Sequence, residues 1–295
     1  MKNSKAKRDI YQEITDRIIE GLEKGSAPWL KPWKNSNTGA DVSMPHNAAT
    51  GRAYSGINVM ILWAEGDIYG SNGWLTYKQA KDIGGQVRKG EKGTLVTFFK
   101  PYKIAENKGQ TNEKDKTIPL IKGFTVFNVE QCDFPEGTKL HQNKDIPAFE
   151  QTAIMEICEV VKAEVVLGGN RACYIPSRDL VQMPHLDQFE DQTAFDATLA
   201  HELTHWTSNK KRCDRKLGIR FGDDAYAMEE LIAEIGSAFL CAQMGIQNNF
   251  LRHESYIANW LEVLKADKKA IFSASSMARQ SNEWLTKKAL ENIAA

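Results

Sequence analysis

Residues 199–206 read LAHELTHW, and this stretch decides how the second half of the chain is built. On a helix His201 and His205 are four apart and stack on one face, where two imidazole nitrogens can reach one ion. Glu202 is then placed to accept a proton from water held by that ion. Phe195, Leu199, Leu203 and Trp206 follow the same steps on a neighbouring stripe, so the helix is expected to be buried. Two core histidines bonded only to carbonyls would also account for the pair, and the choice between these readings rests on what the rest of the chain supplies.

Residues 226–240, YAMEELIAEIGSAFL, supply it. A zinc ion that keeps one position open for water commonly takes two His and one Glu. Here Glu229, Glu230 and Glu234 lie on a second helix whose packing side is Leu231, Ile235 and Ala238 or Phe239. Glu230 and Glu234 share a face with the small residues Ala233 and Ser237, which let another helix approach closely. A solvated acidic face would carry interspersed Lys for i,i+4 pairing, and none occurs between Tyr226 and Cys241. The expected metal set is His201, His205 and one of Glu230 and Glu234, with Glu202 as general base, Zn2+ as the ion and Mn2+ as an alternative. Tyr174, His185, Arg171 and Tyr226 are the side chains available to stabilise an oxyanion, and the sequence does not choose among them.

This second segment resembles the NExxSD motif of the gluzincin peptidases, aligned without gaps on Glu229-Glu230-Leu231-Ile232-Ala233-Glu234. The resemblance implies Glu230 as third ligand and Glu234 as the carboxylate that orients a ligand histidine. The departures are Glu for Asn, Ala for Ser and Glu for Asp. Glu234 is longer than Asp and able to reach the ion itself, so Glu230 is preferred but the pair stays open.

A chain of 295 residues favours two domains over one core. Apolar content of 42% with 26% charged residues is globular. No apolar run approaches the ~20 residues that span a bilayer, so no membrane partner is expected. The first 25 residues are too polar for a signal peptide; Ile10, Ile14, Ile18 and Leu22 mark an amphipathic helix closed by Gly25. Five cysteines, odd in number and without a CxxC pair, argue against a disulfide framework and for a reducing cytoplasm. The formal net charge of zero hides an asymmetry: residues 1–140 hold 21 Lys+Arg against 16 Asp+Glu, and the remainder holds 17 against 22. Such a split suggests halves with different partners.

Residues 26–56 are rich in Pro, Gly and Asn and read as a long loop. Helices are expected at 57–66 and at 74–85, the latter ended by Gly84-Gly85, followed by a strand at 94–103. The charged run 104–117 reads as a hairpin tip before a return strand at 118–132. The proposed organisation is a small α+β domain at 1–133, a linker at 134–147 and a mostly helical zincin-like domain at 148–295. The latter begins with a helix at 149–164 and a hairpin turned at Pro176-Ser177-Arg178-Asp179, and is almost wholly helical from Thr193. The fold class is α+β.

Residues 24–103 carry 11 Lys+Arg against 5 Asp+Glu, interleaved with Trp and Tyr. Cations for a backbone and flat rings for unstacked bases are what single-stranded nucleic acid binding uses. Trp29, Lys31, Trp33 and Lys34 lie in an irregular loop, Arg52 and Tyr54 follow, and Arg88, Lys89 and Lys92 lie on the Gly-rich segment Gly84–Thr94. Trp63 and Tyr77 are instead expected in the core.

PWLKPW, NAATGRAYSGINVMILW, WLTYKQAKDIGGQVRKGEKGT and FTVFNVEQC occur in an order that resembles the N-terminal domain of the ArdC-type antirestriction proteins. RACYIPSRDLVQMP, HELTHWT, FGDDAYAMEELIAEIGSAFL and SYIANWLEVLKADKKAIF resemble that family's metallopeptidase domain. The resemblance implies a conjugative-plasmid protein that binds single-stranded DNA and shields entering DNA from restriction, with a peptide or protein as a further substrate. Ser55 departs from the family, which commonly has Arg there.

Overall fold

The computed structural model describes residues 8–25, 44–66, 68–103, 117–141, 154–217, 224–246 and 254–293. In chain order the elements are α1 (Ile10–Glu23), β1 (His46–Asn47), α2 (Ile57–Gly66), β2 (Gly73–Thr76), α3 (Tyr77–Asp82), β3 (Gln86–Val87), β4 (Thr94–Lys103), β5 (Thr117–Asn128) and β6 (Cys132–Asp133). The second half follows with α4 (Ile154–Val161), β7 (Glu164–Leu167), β8 (Cys173–Ile175), β9 (Leu180–Met183), α5 (Gln192–Trp206), α6 (Asp224–Gln243), α7 (Glu254–Ala266) and α8 (Ala270–Ile293). The chain is α+β, with a zincin-like second half.

The first half is organised by the long β4–β5 hairpin, which runs in register from Thr94↔Val126 to Lys103↔Thr117. Its sheet has the order β1-β2-β5-β4, with β1 and β2 parallel and the other pairs antiparallel. The helix expected at 74–85 is shorter than its sequence suggests. Trp74, Leu75 and Thr76 are strand, paired to Asn128, Phe127 and Val126. Helix α3 starts only after Thr76, whose hydroxyl accepts from the Gln79 amide while the Gln79 side chain returns a bond to the Thr76 backbone. That capping box fixes the start of the helix. Tyr77, expected in the core, is 51% exposed, because it begins a helix that buries only Ala80; Trp63 is buried.

In the second half, β8 and β9 form the expected antiparallel hairpin across residues 176–179. The helix read at 149–164 covers Ile154–Val161 among the described residues, and Glu164–Leu167 is strand β7, parallel to β9. The sheet order is β7-β9-β8, so β8 is an edge.

Helix α6 is the centre of the molecule. On one side Leu231, Ile235 and Phe239 pack with Ile14, Ile18 and Leu22 of α1, with α2, and with Trp260 and Ile271 of α7 and α8. On another, Leu240 and Cys241 join Leu199 and Leu203 of α5, Ile154 and Ile157 of α4, and Val181 and Met183 of β9. Helix α1 is built for its place, with Asp9 capping its start and Gly25, at φ 72°, ending it in the left-handed region that favours glycine. Helices α1 and α2 of the first half share a core with α6–α8 of the second. The seam is tightened by Tyr11 edge-on to Phe272 and by Thr15 donating to the Lys268 carbonyl at 2.7 Å.

Among the described residues, no helix is long and apolar enough to cross a membrane. All five cysteines are free thiols.

Candidate functional site

Helices α5 and α6 meet where their side chains are smallest. A Cβ added at Gly236 would stand 2.5 Å from Cγ2 of Thr204, and Ser237 donates to the Ala197 carbonyl at 2.9 Å. The expected small residue Ser237 is part of this contact; Gly236, which the sequence reading passed over, permits the closest approach. The contact brings His201, His205 and Glu230 together, with one ligand atom from each lying within 4.8 Å of the others.

The two Nε2 atoms are 3.1 Å apart. Glu230 stands 3.6 Å from Nε2 of His201 and 3.5 Å from Nε2 of His205. Nitrogens held at ~2.0–2.1 Å by one tetrahedral ion are separated by about 3.4 Å, so the arrangement fits a shared divalent ion. The outer ring nitrogens point to carboxylates: Nδ1 of His201 lies 3.3 Å from Glu234, and Nδ1 of His205 lies 3.2 Å from Glu229. A carboxylate on Nδ1 keeps the proton there and turns the Nε2 lone pair inward.

Of the two carboxylates the sequence left open, Glu230 faces both inner nitrogens and Glu234 faces an outer one. Burial opposes a charge on both rings, but Glu234 and Glu230 hold His201 well above the usual imidazole range, and Glu229 and Glu230 raise His205 to about 9. Burial likewise works against a charge on Glu230, and the two histidines overcome it and hold its carboxyl well below the usual range.

The sequence reading did not find what holds Glu229. Arg215 grips it through two bonds, Nε to Oε2 at 3.1 Å and Nη2 to Oε1 at 2.8 Å. Both side chains are only 5% exposed. Arg215 also donates to the hydroxyls of Thr207 and Ser281 and to the Thr204 carbonyl. No local pattern announces this arginine; only packing aims it.

Glu202, half-buried, accepts a 2.8 Å bond from the Tyr174 amide on edge strand β8. Among the residues named for the oxyanion, the Tyr174 hydroxyl is committed to Asp179 at 3.0 Å. Asp179 is also bound by Arg212, which lies over the Trp206 ring. His185 and Arg171 are exposed. Tyr226 lies one turn before Glu230 on α6, on the same face.

Of the residues named for DNA, Trp29, Lys31, Trp33 and Lys34 lie outside the described residues. Arg52 and Tyr54, with Ser55, line a groove of about 730 Å³ between residues 47–58, the β4–β5 hairpin and α8. Arg52 is exposed and Tyr54 is half-buried. Arg88 is engaged with Glu91 and Asp133 and donates to the Glu130 carbonyl. Lys89 and Lys92 are exposed on the same segment. Arg88 and Lys89 border a separate depression.

A histidine pair on one helix and a glutamate ligand position on the next define a zincin-like metallopeptidase domain, and residues 152–277 match the family of that description. Residues 8–127 match the N-terminal domain of anti-restriction factor ArdC. The chain is 38% identical to protein y4eC of Sinorhizobium fredii, over 94% of this chain and 91% of that one. It is similar to the crystal structure of the antirestriction protein ArdC from plasmid R388 in metal-free form, with 38% identity, a TM-score of 0.77 and coverage of 96% and 99%. The Mn(II)-bound structure of the same protein gives 40% identity, a TM-score of 0.76 and coverage of 96% and 98%. It is also 34% identical to the DNA primase TraC of Escherichia coli over 96% of its own length, spanning only 20% of that protein. This chain belongs to the ArdC antirestriction family.

Proposed function

We infer that this protein binds single-stranded DNA in the cytoplasm and protects plasmid DNA entering by conjugation from host restriction. The observation that carries the reading is a groove holding Arg52 and Tyr54 in which no Asp or Glu occurs among the described lining residues. Membership of the ArdC family and likeness to a protein from plasmid R388 support it. The zincin-like half then accompanies a DNA-binding function.

A second reading has its own support. His201, His205 and Glu230 converge, and Glu202 is held beside them. The fit to a divalent ion favours Zn2+, the commonest ion for a His2Glu set, with Mn2+ as an alternative suggested by the Mn(II)-bound relative. When bound, such an ion supplies Lewis acidity and lowers the pKa of its water to about 7. Glu202 would serve there as the base that takes a proton from the attacking water and as the acid that returns it to the leaving amine. Glu234 holds His201, and Glu229, fixed by Arg215, holds His205. On this reading the protein cleaves a DNA-associated host protein.

The two readings separate in one experiment. Glu202→Gln keeps the ion ligands and removes the base. If DNA binding carries the function, Glu202→Gln protects plasmid transfer into a restricting recipient as well as the wild type does. Loss of protection with metal content and single-strand affinity unchanged refutes the binding-only reading and establishes the peptidase.

A further inference from the structure

The register of the β4–β5 hairpin puts Val96 opposite Phe124, Phe98 opposite Lys122 and Lys100 opposite Leu120. Directly paired residues share a face, and alternate residues of one strand do too. Val96, Phe98, Lys100, Leu120, Lys122 and Phe124 therefore form one surface. At its inner end Val96 and Val126 are buried. Further out Phe98 is 54% exposed and Phe124 47%, with their rings 6.3 Å apart edge to face. Lys100 and Lys122 are exposed beside them.

Two large rings left half in water on a sheet face, bracketed by lysines, are unusual for a surface that merely closes a fold. Phe98 and Phe124 also line the groove that holds Arg52 and Tyr54. Phe272, Ser275, Ser276 and Arg279 of α8, in the zincin-like half, line it too. Arg279 pairs with Glu283 at 2.6 Å, an exposed i,i+4 contact on its own helix, and such pairs yield readily to a competing anion. The depression beside Arg88 differs, since Glu91 and Asp133 line it.

We propose that an unpaired nucleic-acid strand lies in this groove across the seam of the two halves, with bases stacked on Phe98 and Phe124. Arg52 and Lys122 meet its phosphates from the first half, and Arg279 meets them from α8. This rests on the single-strand reading above and deepens it. The platform is the β4–β5 face rather than the Gly84–Thr94 segment, and the zincin-like half contributes a wall. Cations and exposed rings in a groove with no Asp or Glu among its described lining residues suit a polyanion of flat bases, whereas an acidic-poor peptide would find no use for the arginines.

The test uses the full chain and a fluorescein-labelled oligo(dT), followed by anisotropy at several salt concentrations. Phe98→Ala and Phe124→Ala should each weaken binding by about fivefold or more without changing its salt dependence. Arg279→Ala should lower the slope of log affinity against log salt by about 0.7. Melting temperatures close to wild type show that the variants fold. Photocrosslinking wild-type protein to a bromodeoxyuridine oligonucleotide gives an independent reading, with adducts expected on β4, β5 or α8. If wild type binds but the Phe98→Ala/Phe124→Ala variant binds within twofold, or adducts fall only on Gly84–Thr94, the groove is refuted and the single-strand reading stands. If wild type itself fails to bind, both fall.

Discussion

Arg215→Met isolates the buried pair that the structure adds beside the candidate metal cluster. The guanidinium and the Glu229 carboxylate are each 5% exposed and joined by two bonds, and three further acceptors surround the arginine. Methionine fills much of the same length but leaves Glu229 without its cation. Breaking one side of a buried pair costs about 3–5 kcal/mol, because the remaining charge is desolvated and uncompensated. For a domain of this size the melting temperature should fall by roughly 6–20 °C. Metal affinity, measured by calorimetric titration of the chelator-stripped protein, should fall by about 10–100-fold, since Glu229 no longer holds His205 firmly. The Arg215→Met/Glu229→Met variant separates the two effects. With both charges gone, stability should return to wild type or above, while metal affinity stays low because Nδ1 of His205 has lost its carboxylate. A single variant melting within 2 °C of wild type, or a double variant that recovers metal affinity, would refute the role assigned to this pair.

Gly236→Ala gains about 1 kcal/mol of helix propensity but places a methyl 2.5 Å from Cγ2 of Thr204, whose hydroxyl is bonded to the Ala200 carbonyl. A net loss of about 1–3 kcal/mol in urea unfolding is expected, partly relieved by Thr204→Ser; a net gain would show that the helices can part freely. With the ion at a hundred times its dissociation constant, metal should stabilise the wild type by about 2.7 kcal/mol, and chelation should remove that increment. His201→Ala should melt identically with and without chelator, and a persisting difference would place the ion elsewhere. Burial pushes the Cys158 and Cys241 thiols up to about 12, so alkylation of the native protein at pH 8 should spare both until denaturant is added. Mass mapping that found either modified at the rate of the unfolded chain would contradict their burial.

The sequence by itself determined what depends on local spacing. Four residues separate His201 from His205, and again Glu230 from Glu234, so helical periodicity alone puts each pair on one face. The same spacing marked α1, alternating and aromatic content marked the β4 strand, and turn residues marked the hairpin closed at 176–179. It failed where pairing overrides local preference: Trp74–Thr76 became strand because β5 offers it a ladder, and Glu164, read as the last residue of a helix, begins strand β7 against β9. Tertiary structure alone decided which helix faces meet. It set α6 between two cores, turned Glu234 and Glu229 onto the outer nitrogens, aimed Arg215 from a segment without periodicity, and brought Arg279 of α8 to the groove that Phe98 lines. The cause is physical: a helix or strand fixes its own side-chain directions within a few residues, whereas the partner of each face is chosen by burial summed over elements far apart in the chain.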